Sequence, residues 1–312
     1  MAAWLGVMGV VYVASVTVLV NLPLPTERLE TTNLPPIRDF AFERGLYAEA
    51  DSQRNIDILF LGSSHARFFF DPAFFDSLGV RTFTIGSPVQ TPEQSLVILD
   101  RYLPRMRPKV VVFETYPTVL ANEGVEALAN MAGSLPISEA LWGAMVRAHS
   151  LAVWNGFLCR WVARNLGGDT SFRYPGRGFM TVRPGFNGDR NVSVTVTRPL
   201  PRQLAALRRA TDLARAAGSR VVFLVQPIPV GLRRVTLAYD DGSRDVAMLA
   251  DSMRVPFTDF NYTMQLDSSM YFDSNHLTYQ GTRAVLPAVV AELRRMGILA
   301  EHGGLVPSLA GR

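Results

Sequence analysis

Short apolar runs alternate with helical patterns along most of this chain, and this alternation limits the possible folds more than any other feature. The sequence predicts strands at residues 56–61, 81–85, 109–113, 220–225 and, more weakly because of Pro256, at 255–260. Most of these runs are rich in Val, Ile, Leu or Phe without strict alternation, which is typical of strands buried on both faces. Helical patterns lie at 92–103, 201–217, 243–253 and 279–296. The alternation predicts an α/β fold in which helices cover both faces of a parallel sheet.

The N-terminal segment is apolar and contains no charged side chain before Glu27. Residues 2–22 are long enough to cross a hydrocarbon core, which requires about 20 residues, and the prolines at 23 and 25 would end a helix there. We expect residues 1–22 to be a single transmembrane anchor, with the rest of the chain periplasmic or extracellular. Two alternatives stay open, a buried core helix and a cleaved signal peptide, although a signal peptide needs a positive start that this segment lacks.

The remaining chain divides into three predicted parts. Residues 23–55 are expected to form a linker, residues 56–300 an α/β domain with an insertion at about 118–200, and residues 301–312 a tail. The arginine-rich stretch 173–202 can be interpreted as a site for an anionic glycan or lipid head group, or as a solvated loop surface.

Composition excludes several classes of site. Cys159 is the one cysteine of the chain, which rules out an internal disulfide framework and a zinc cluster built from cysteines. The 31 basic and 27 acidic side chains form no basic cluster, so nucleic acid is not an expected partner. We find neither a phosphate-binding glycine motif nor a histidine pair at metal-ligand spacing, and therefore expect no cofactor and no metal.

Gly62-Ser63-Ser64-His65 directly follows the first predicted strand. The carboxyl ends of parallel strands are where open α/β sheets place their ligands. The glycine permits a tight turn, and the backbone amides that follow can point at one spot, as an oxyanion hole requires. Serine-rich strand ends also make ordinary helix caps, so these four residues alone do not define a catalytic site.

Asp273 and His276 lie three residues apart, just before the last predicted helix. A histidine there could accept the proton of a serine hydroxyl while the carboxylate orients its imidazole ring. The alternative is a loop histidine that caps the helix. Of the four histidines, His276 is the best candidate for a general base. His65 adjoins Ser64 and is expected to point away from it, and the other two lie in the insertion and the tail.

With these two blocks the chain resembles the SGNH (GDSL-like) hydrolase superfamily. It is most similar to the membrane-anchored branch that includes the D-alanyl transfer protein of lipoteichoic-acid modification and relatives in bacterial glycan acetylation. The resemblance covers roughly residues 55–297 and implies a flavodoxin-like three-layer sandwich. It also implies that Ser64 is the nucleophile, that Asp273 and His276 complete a triad, and that the amides of Ser64 and Gly86 form the oxyanion hole.

The resemblance implies a serine esterase or O-acyltransferase that acts on acyl esters of a cell-envelope glycan, through an acyl-serine intermediate, beside a membrane acyltransferase partner. One departure supports a different function. Glu114 stands where the family has an asparagine after the third strand, and its carboxylate would repel an oxyanion unless it were protonated or turned away. The alternative is a non-catalytic membrane accessory protein that binds a glycan or an acyltransferase.

Overall fold

The computed structural model describes residues 2–21, 37–163, 171–191, 195–196 and 198–306. The helices, in chain order, are α1 (Ala2–Asn21), α2 (Ile37–Ser52), α3 (Ser64–Phe69), α4 (Pro72–Asp76), α5 (Pro92–Met106), α6 (Pro117–Leu120), α7 (Val125–Ser134), α8 (Glu139–Ala148), α9 (Leu151–Val162), α10 (Pro201–Ala216), α11 (Val230–Val235), α12 (Tyr239–Met253) and α13 (Tyr279–Arg295). The strands are β1 (Ile58–Gly62), β2 (Thr82–Gly86), β3 (Val110–Glu114), β4 (Phe172–Gly176), β5 (Phe179–Val182), β6 (Thr195–Val196), β7 (Arg220–Val225), β8 (Thr236–Leu237) and β9 (Phe257–Asp259).

The central sheet has five strands in the order β2-β1-β3-β7-β9, and every neighbouring pair is parallel. In sequence terms this is the 2-1-3-4-5 order of the flavodoxin-like doubly wound fold. The predicted α/β fold with a parallel sheet is therefore confirmed. Each predicted strand lies within a residue or two of an observed one, because runs buried on both faces carry little polar sequence that could be confused with a loop.

Helices cover both faces of the sheet, since successive side chains of a strand point to opposite sides. On one face, Phe60, Val112 and Leu224 pack in a core cluster with residues of α3, α4 and α13. On the other face, α5 packs on β1 and α10 on β7. The result is a three-layer sandwich around one sheet.

The N-terminal segment forms the helix α1, but among the described residues no helix combines the length and the apolar character that a membrane span requires. The predicted transmembrane helix is thus not found among them.

The chain divides into two compact units, Met1–Glu49 with Gly124–Thr170, and Ala50–Glu123 with Ser171–Arg312. In the first unit, Val16, Val20, Phe40 and Cys159 share one buried cluster. The predicted insertion at 118–200 is divided between the units, so that residues 124–170 fall in the first and residues 118–123 and 171–200 in the second.

The predicted linker at 23–55 is wrong over residues 37–52, which form α2; residues 22–36 lie outside the described residues. Phe40, Leu46, Tyr47 and Ala50 of this helix are fully buried or nearly so. Burial of these apolar side chains stabilises the helix. The mixed charges on its other positions made the segment resemble a solvated linker.

In the second unit, β4 and β5 form an antiparallel hairpin. The hairpin is joined to the main sheet at its turn, where the Thr84 amide donates to the Arg177 carbonyl at 2.9 Å. The Arg177 guanidinium also forms an ion pair with Asp76 of α4. These contacts hold the hairpin beside β2, at the edge of the sheet.

Candidate active site

The turn between β1 and α3 places Ser64 at the end of the sheet. Ser63 is the N-cap of α3, and its hydroxyl accepts a hydrogen bond from the His65 amide at 3.2 Å. Ser64 is therefore the first helical residue, and its own N–H has no partner within the helix. Gly62 is required before this turn, because a Cβ there would lie 2.6 Å from the Cβ of Glu114 on the adjoining strand.

The structure brings Ser64, His276 and Asp273 together in one chain of hydrogen bonds. Ser64 Oγ lies 2.7 Å from His276 Nε2, and His276 Nδ1 lies 2.7 Å from Asp273 Oδ2. The other carboxylate oxygen, Oδ1, accepts the backbone amides of Asn275 at 2.9 Å and His276 at 2.8 Å. The Asp-x-x-His spacing thus allows one carboxylate to hold both the loop and the ring.

These contacts determine where the protons lie. Burial opposes the charge of Asp273, but hydrogen bonds from His276 and the backbone amides lower the pKa of this carboxyl below its ordinary value. An ionised carboxylate can only accept hydrogen bonds, so His276 Nδ1 carries the proton. In the neutral ring Nε2 is then an acceptor, and the Ser64 hydroxyl donates to it. This is the arrangement that a histidine base requires to deprotonate a serine.

Gly86 lies directly against the turn between β1 and α3. It pairs in register with Gly62, and its carbonyl accepts Arg67 Nε at 2.9 Å. A Cβ at Gly86 would come within 2.6 Å of the Ser63 carbonyl oxygen, so a glycine is needed at this approach. The two predicted oxyanion donors, the amides of Ser64 and Gly86, are therefore on adjoining backbone segments.

Glu114, which stands where the family has an asparagine, is held by hydrogen bonds from residues that follow β1 and β3. Its Oε2 accepts the Ser63 hydroxyl at 2.9 Å, and its Oε1 accepts the Tyr116 amide at 2.8 Å. Both carboxylate oxygens are thus occupied by donors other than Ser64. Burial raises the pKa of Glu114 to about 7, although the hydrogen bonds from Ser63 and Tyr116 oppose this rise. The Glu114 side chain therefore holds Ser63, the residue next to Ser64.

The His65 side chain lies against His276 and outside the chain of hydrogen bonds from Ser64 to Asp273. The residue is buried, and its ring contacts those of Tyr116 and His276, with centroid distances of 4.4 and 5.0 Å. Burial, together with the nearby His276, holds the pKa of His65 well below its ordinary value, so the ring is neutral. Sequence adjacency to Ser64 hid this position, because the ring is enclosed by residues distant in the chain.

Sequence reasoning also missed an aromatic cluster around His276. The Phe272 ring stacks on the His276 ring with centroids 5.6 Å apart, and Phe68 approaches the same ring at 5.3 Å. Phe172 and Phe186, from the hairpin and the segment after it, pack on Phe272. In the sequence, Phe272 could have indicated this cluster, because it is adjacent to Asp273. Nothing in the sequence connected the hairpin residues with His276.

Gly188 fixes the segment after the hairpin against the last block. Its amide donates to the Phe272 carbonyl at 2.7 Å. A Cβ at Gly188 would lie 2.8 Å from the Cβ of Asp273. The segment thus packs directly against Asp273, whose carboxylate holds His276.

No model of a protein family matches the chain, and no curated protein sequence matches it. Solved structures similar to it include a GDSL-like lipase from Bacteroides thetaiotaomicron, at 12% identity over 82% of this chain and 98% of that chain, with a TM-score of 0.44. An acetylxylan esterase from Geobacillus stearothermophilus, solved as a catalytic mutant, has 13% identity over 78% and 96%, with a TM-score of 0.42. A lipase/acylhydrolase from Enterococcus faecalis has 14% identity over 77% and 97%, with a TM-score of 0.40. Similarity this distant does not assign an activity.

Proposed function

We propose that this protein is a serine esterase whose nucleophile is Ser64. The observation that carries the proposal is the unbroken chain of 2.7 Å contacts from Ser64 Oγ through His276 to Asp273. A serine hydroxyl is a weak nucleophile unless an oriented base removes its proton. This site supplies both the base and the carboxylate that orients it.

In the proposed reaction, Ser64 Oγ attacks the acyl carbonyl while His276 Nε2 takes the hydroxyl proton. The amides of Ser64 and Gly86 stabilise the negative oxygen of the tetrahedral intermediate. The carbon–oxygen bond to the alcohol then breaks, and the leaving oxygen takes the proton from His276. Water attacks the acyl-Ser64 ester with His276 again as base, which releases the acid and restores the serine. A sugar hydroxyl in place of water would make the same site an O-acyltransferase.

The finer parts of the prediction rest on the family resemblance and, for the location, on the apolar N-terminal segment. These are a cell-envelope glycan as the substrate, acyl transfer in place of hydrolysis, a membrane acyltransferase as partner, and a periplasmic or extracellular location at the membrane. They stay predictions.

The proposal is tested by labelling the folded protein with a fluorophosphonate probe, which reacts with activated serines. We expect wild type to be labelled and to hydrolyse p-nitrophenyl acetate, and Ser64→Ala to do neither. Ser77→Ala is a suitable control, because Ser77 is an exposed serine whose hydroxyl donates only to the local Phe74 carbonyl. A folded wild type that is neither labelled nor active would overturn the proposal and favour the non-catalytic accessory protein.

A further inference from the structure

A cavity of about 680 Å³ opens between the β4–β5 hairpin and the start of α13. Its walls combine aromatic rings with guanidinium groups, namely Arg173, Tyr174, Phe179, Arg183, Phe186 and Tyr279. None of these residues is used in the proposed reaction. The cavity therefore needs an explanation of its own.

The cavity lies close to the catalytic residues. Phe186 of its wall packs on Phe272 with ring centroids 5.9 Å apart, and Phe272 stacks on His276. Two aromatic contacts thus separate the cavity from the proposed base.

Two tyrosines offer partly open ring surfaces to this space. Tyr174 is 42% exposed and Tyr279 is 48% exposed, whereas Phe179 is buried behind them and contacts Tyr279 at 6.5 Å between centroids. The Tyr174 hydroxyl accepts the Gly178 amide at 3.0 Å, which holds its ring on the hairpin. Fixed aromatic rings with polar edges suit a ligand that has both apolar faces and hydroxyl groups, such as a sugar ring.

The charge of the cavity is positive. Arg173 and Arg183 are both exposed on its rim. Among its lining residues the one carboxylate is Asp71, which is 2% exposed. That carboxylate caps α4 through the Ala73 amide and faces the Arg283 guanidinium at 3.5 Å. Among the residues that line the cavity, the two rim arginines thus face no exposed carboxylate.

We infer that this cavity binds an anionic sugar unit of the esterified substrate, one that carries a carboxylate such as that of a uronic acid. The inference rests on the proposed function for the link to Ser64. Guanidinium groups form paired hydrogen bonds with carboxylates, and the tyrosine rings cover the apolar face of the sugar. A fatty acyl chain fits less well, because it would remove the arginine head groups from water without giving them partners.

The test is direct binding to the inactive variant Ser64→Ala, measured by calorimetry with tetragalacturonate and with the neutral cellotetraose. We expect tetragalacturonate to bind more tightly and to lose affinity as salt is raised. Adding Arg173→Gln and Arg183→Gln should weaken its binding about tenfold, the sum expected of two exposed charge pairs. Tyr279→Ala should weaken it as well.

Arg209→Gln is the matched control, because it removes the same charge from an exposed position on α10, outside the cavity. Equal binding of the two oligosaccharides, no binding of either, or an equal loss in the control would overturn the inference. Fluorophosphonate labelling of wild type reports on Ser64 separately. Charge-dependent binding without labelling would support the cavity and reject the proposed esterase, whereas labelling without binding would do the reverse.

Discussion

Two carboxylate–histidine pairs lie side by side near Ser64, and their environments differ. Asp273 and His276 join at 2.7 Å, and their side chains are 20% and 18% exposed. Glu114 and His65 are 3.9 Å apart, beyond hydrogen-bond distance, and their side chains are 1% and 2% exposed. The two histidine rings nevertheless contact each other edge to face.

The comparison shows how burial separates two chemically similar pairs. The hydrogen-bonded pair keeps its carboxylate ionised, because backbone amides and the imidazole lower the pKa of Asp273. In the buried pair, burial raises the pKa of Glu114 to about 7 and lowers that of His65, so burial favours the neutral form of both side chains. We therefore propose that Asp273 and His276 carry out proton transfer, and that Glu114 and His65 support the turn between β1 and α3.

The largest expected difference between the pairs is catalytic. His276→Ala should reduce kcat for ester hydrolysis by about 10⁵-fold or more, as loss of the base does in other serine enzymes. His65→Asn should keep activity within about tenfold, because a positioning residue does not carry the proton. Steady-state kinetics with p-nitrophenyl acetate measures both variants, and circular dichroism checks that each is folded. Equal losses in the two variants would remove the distinction between the pairs.

The next effect is on the free energy of unfolding, whose pH dependence should have opposite signs for Glu114 and for Asp273. A raised carboxyl pKa means that the folded state retains a proton which the unfolded state releases. The Glu114 contribution to the free energy of unfolding should thus fall as pH rises from about 4.5 to about 7, by about 3 kcal/mol. Asp273, whose pKa is lowered, contributes stability at neutral pH that is lost as pH falls through the acid range.

Urea unfolding at a series of pH values checks these signs against Glu114→Gln and Asp273→Asn. The free energy of unfolding of wild type minus that of Glu114→Gln should become smaller as pH rises from 4.5 to 7. The same difference between wild type and Asp273→Asn should become smaller as pH falls into the acid range. If both differences move in the same direction with pH, the electrostatic contrast between the pairs is wrong.

The smallest expected effect concerns the segment that packs against Asp273. In Gly188→Ala the new methyl group would displace the carboxylate that orients His276, and we expect about a tenfold loss of kcat, since small misplacements of catalytic groups are costly. Gly231→Ala is the control, because a Cβ there meets no atom within 4 Å. Full activity of Gly188→Ala would show that the segment does not position the Asp273–His276 pair.

The sheet was predictable from the sequence because its strands are continuous apolar runs, a signal that each segment carries by itself. The Asp-x-x-His spacing likewise predicted a pair that the structure brings to Ser64. The function of Glu114 was not predictable, because its position depends on the Ser63 hydroxyl and the Tyr116 amide, which tertiary packing supplies. Helix α2 was missed because its buried residues are interspersed with charges, and local composition suggested a solvated segment.

We propose Ser64, and not its neighbour Ser63, as the activated serine. Ser63 donates to the buried Glu114, whereas Ser64 contacts the proposed base. The most direct measurement is mass spectrometry of the peptide that carries both serines, after reaction of the folded protein with a fluorophosphonate. We predict one adduct, on Ser64, that is lost in His276→Ala. An adduct on Ser63, or labelling that persists without His276, would contradict this account.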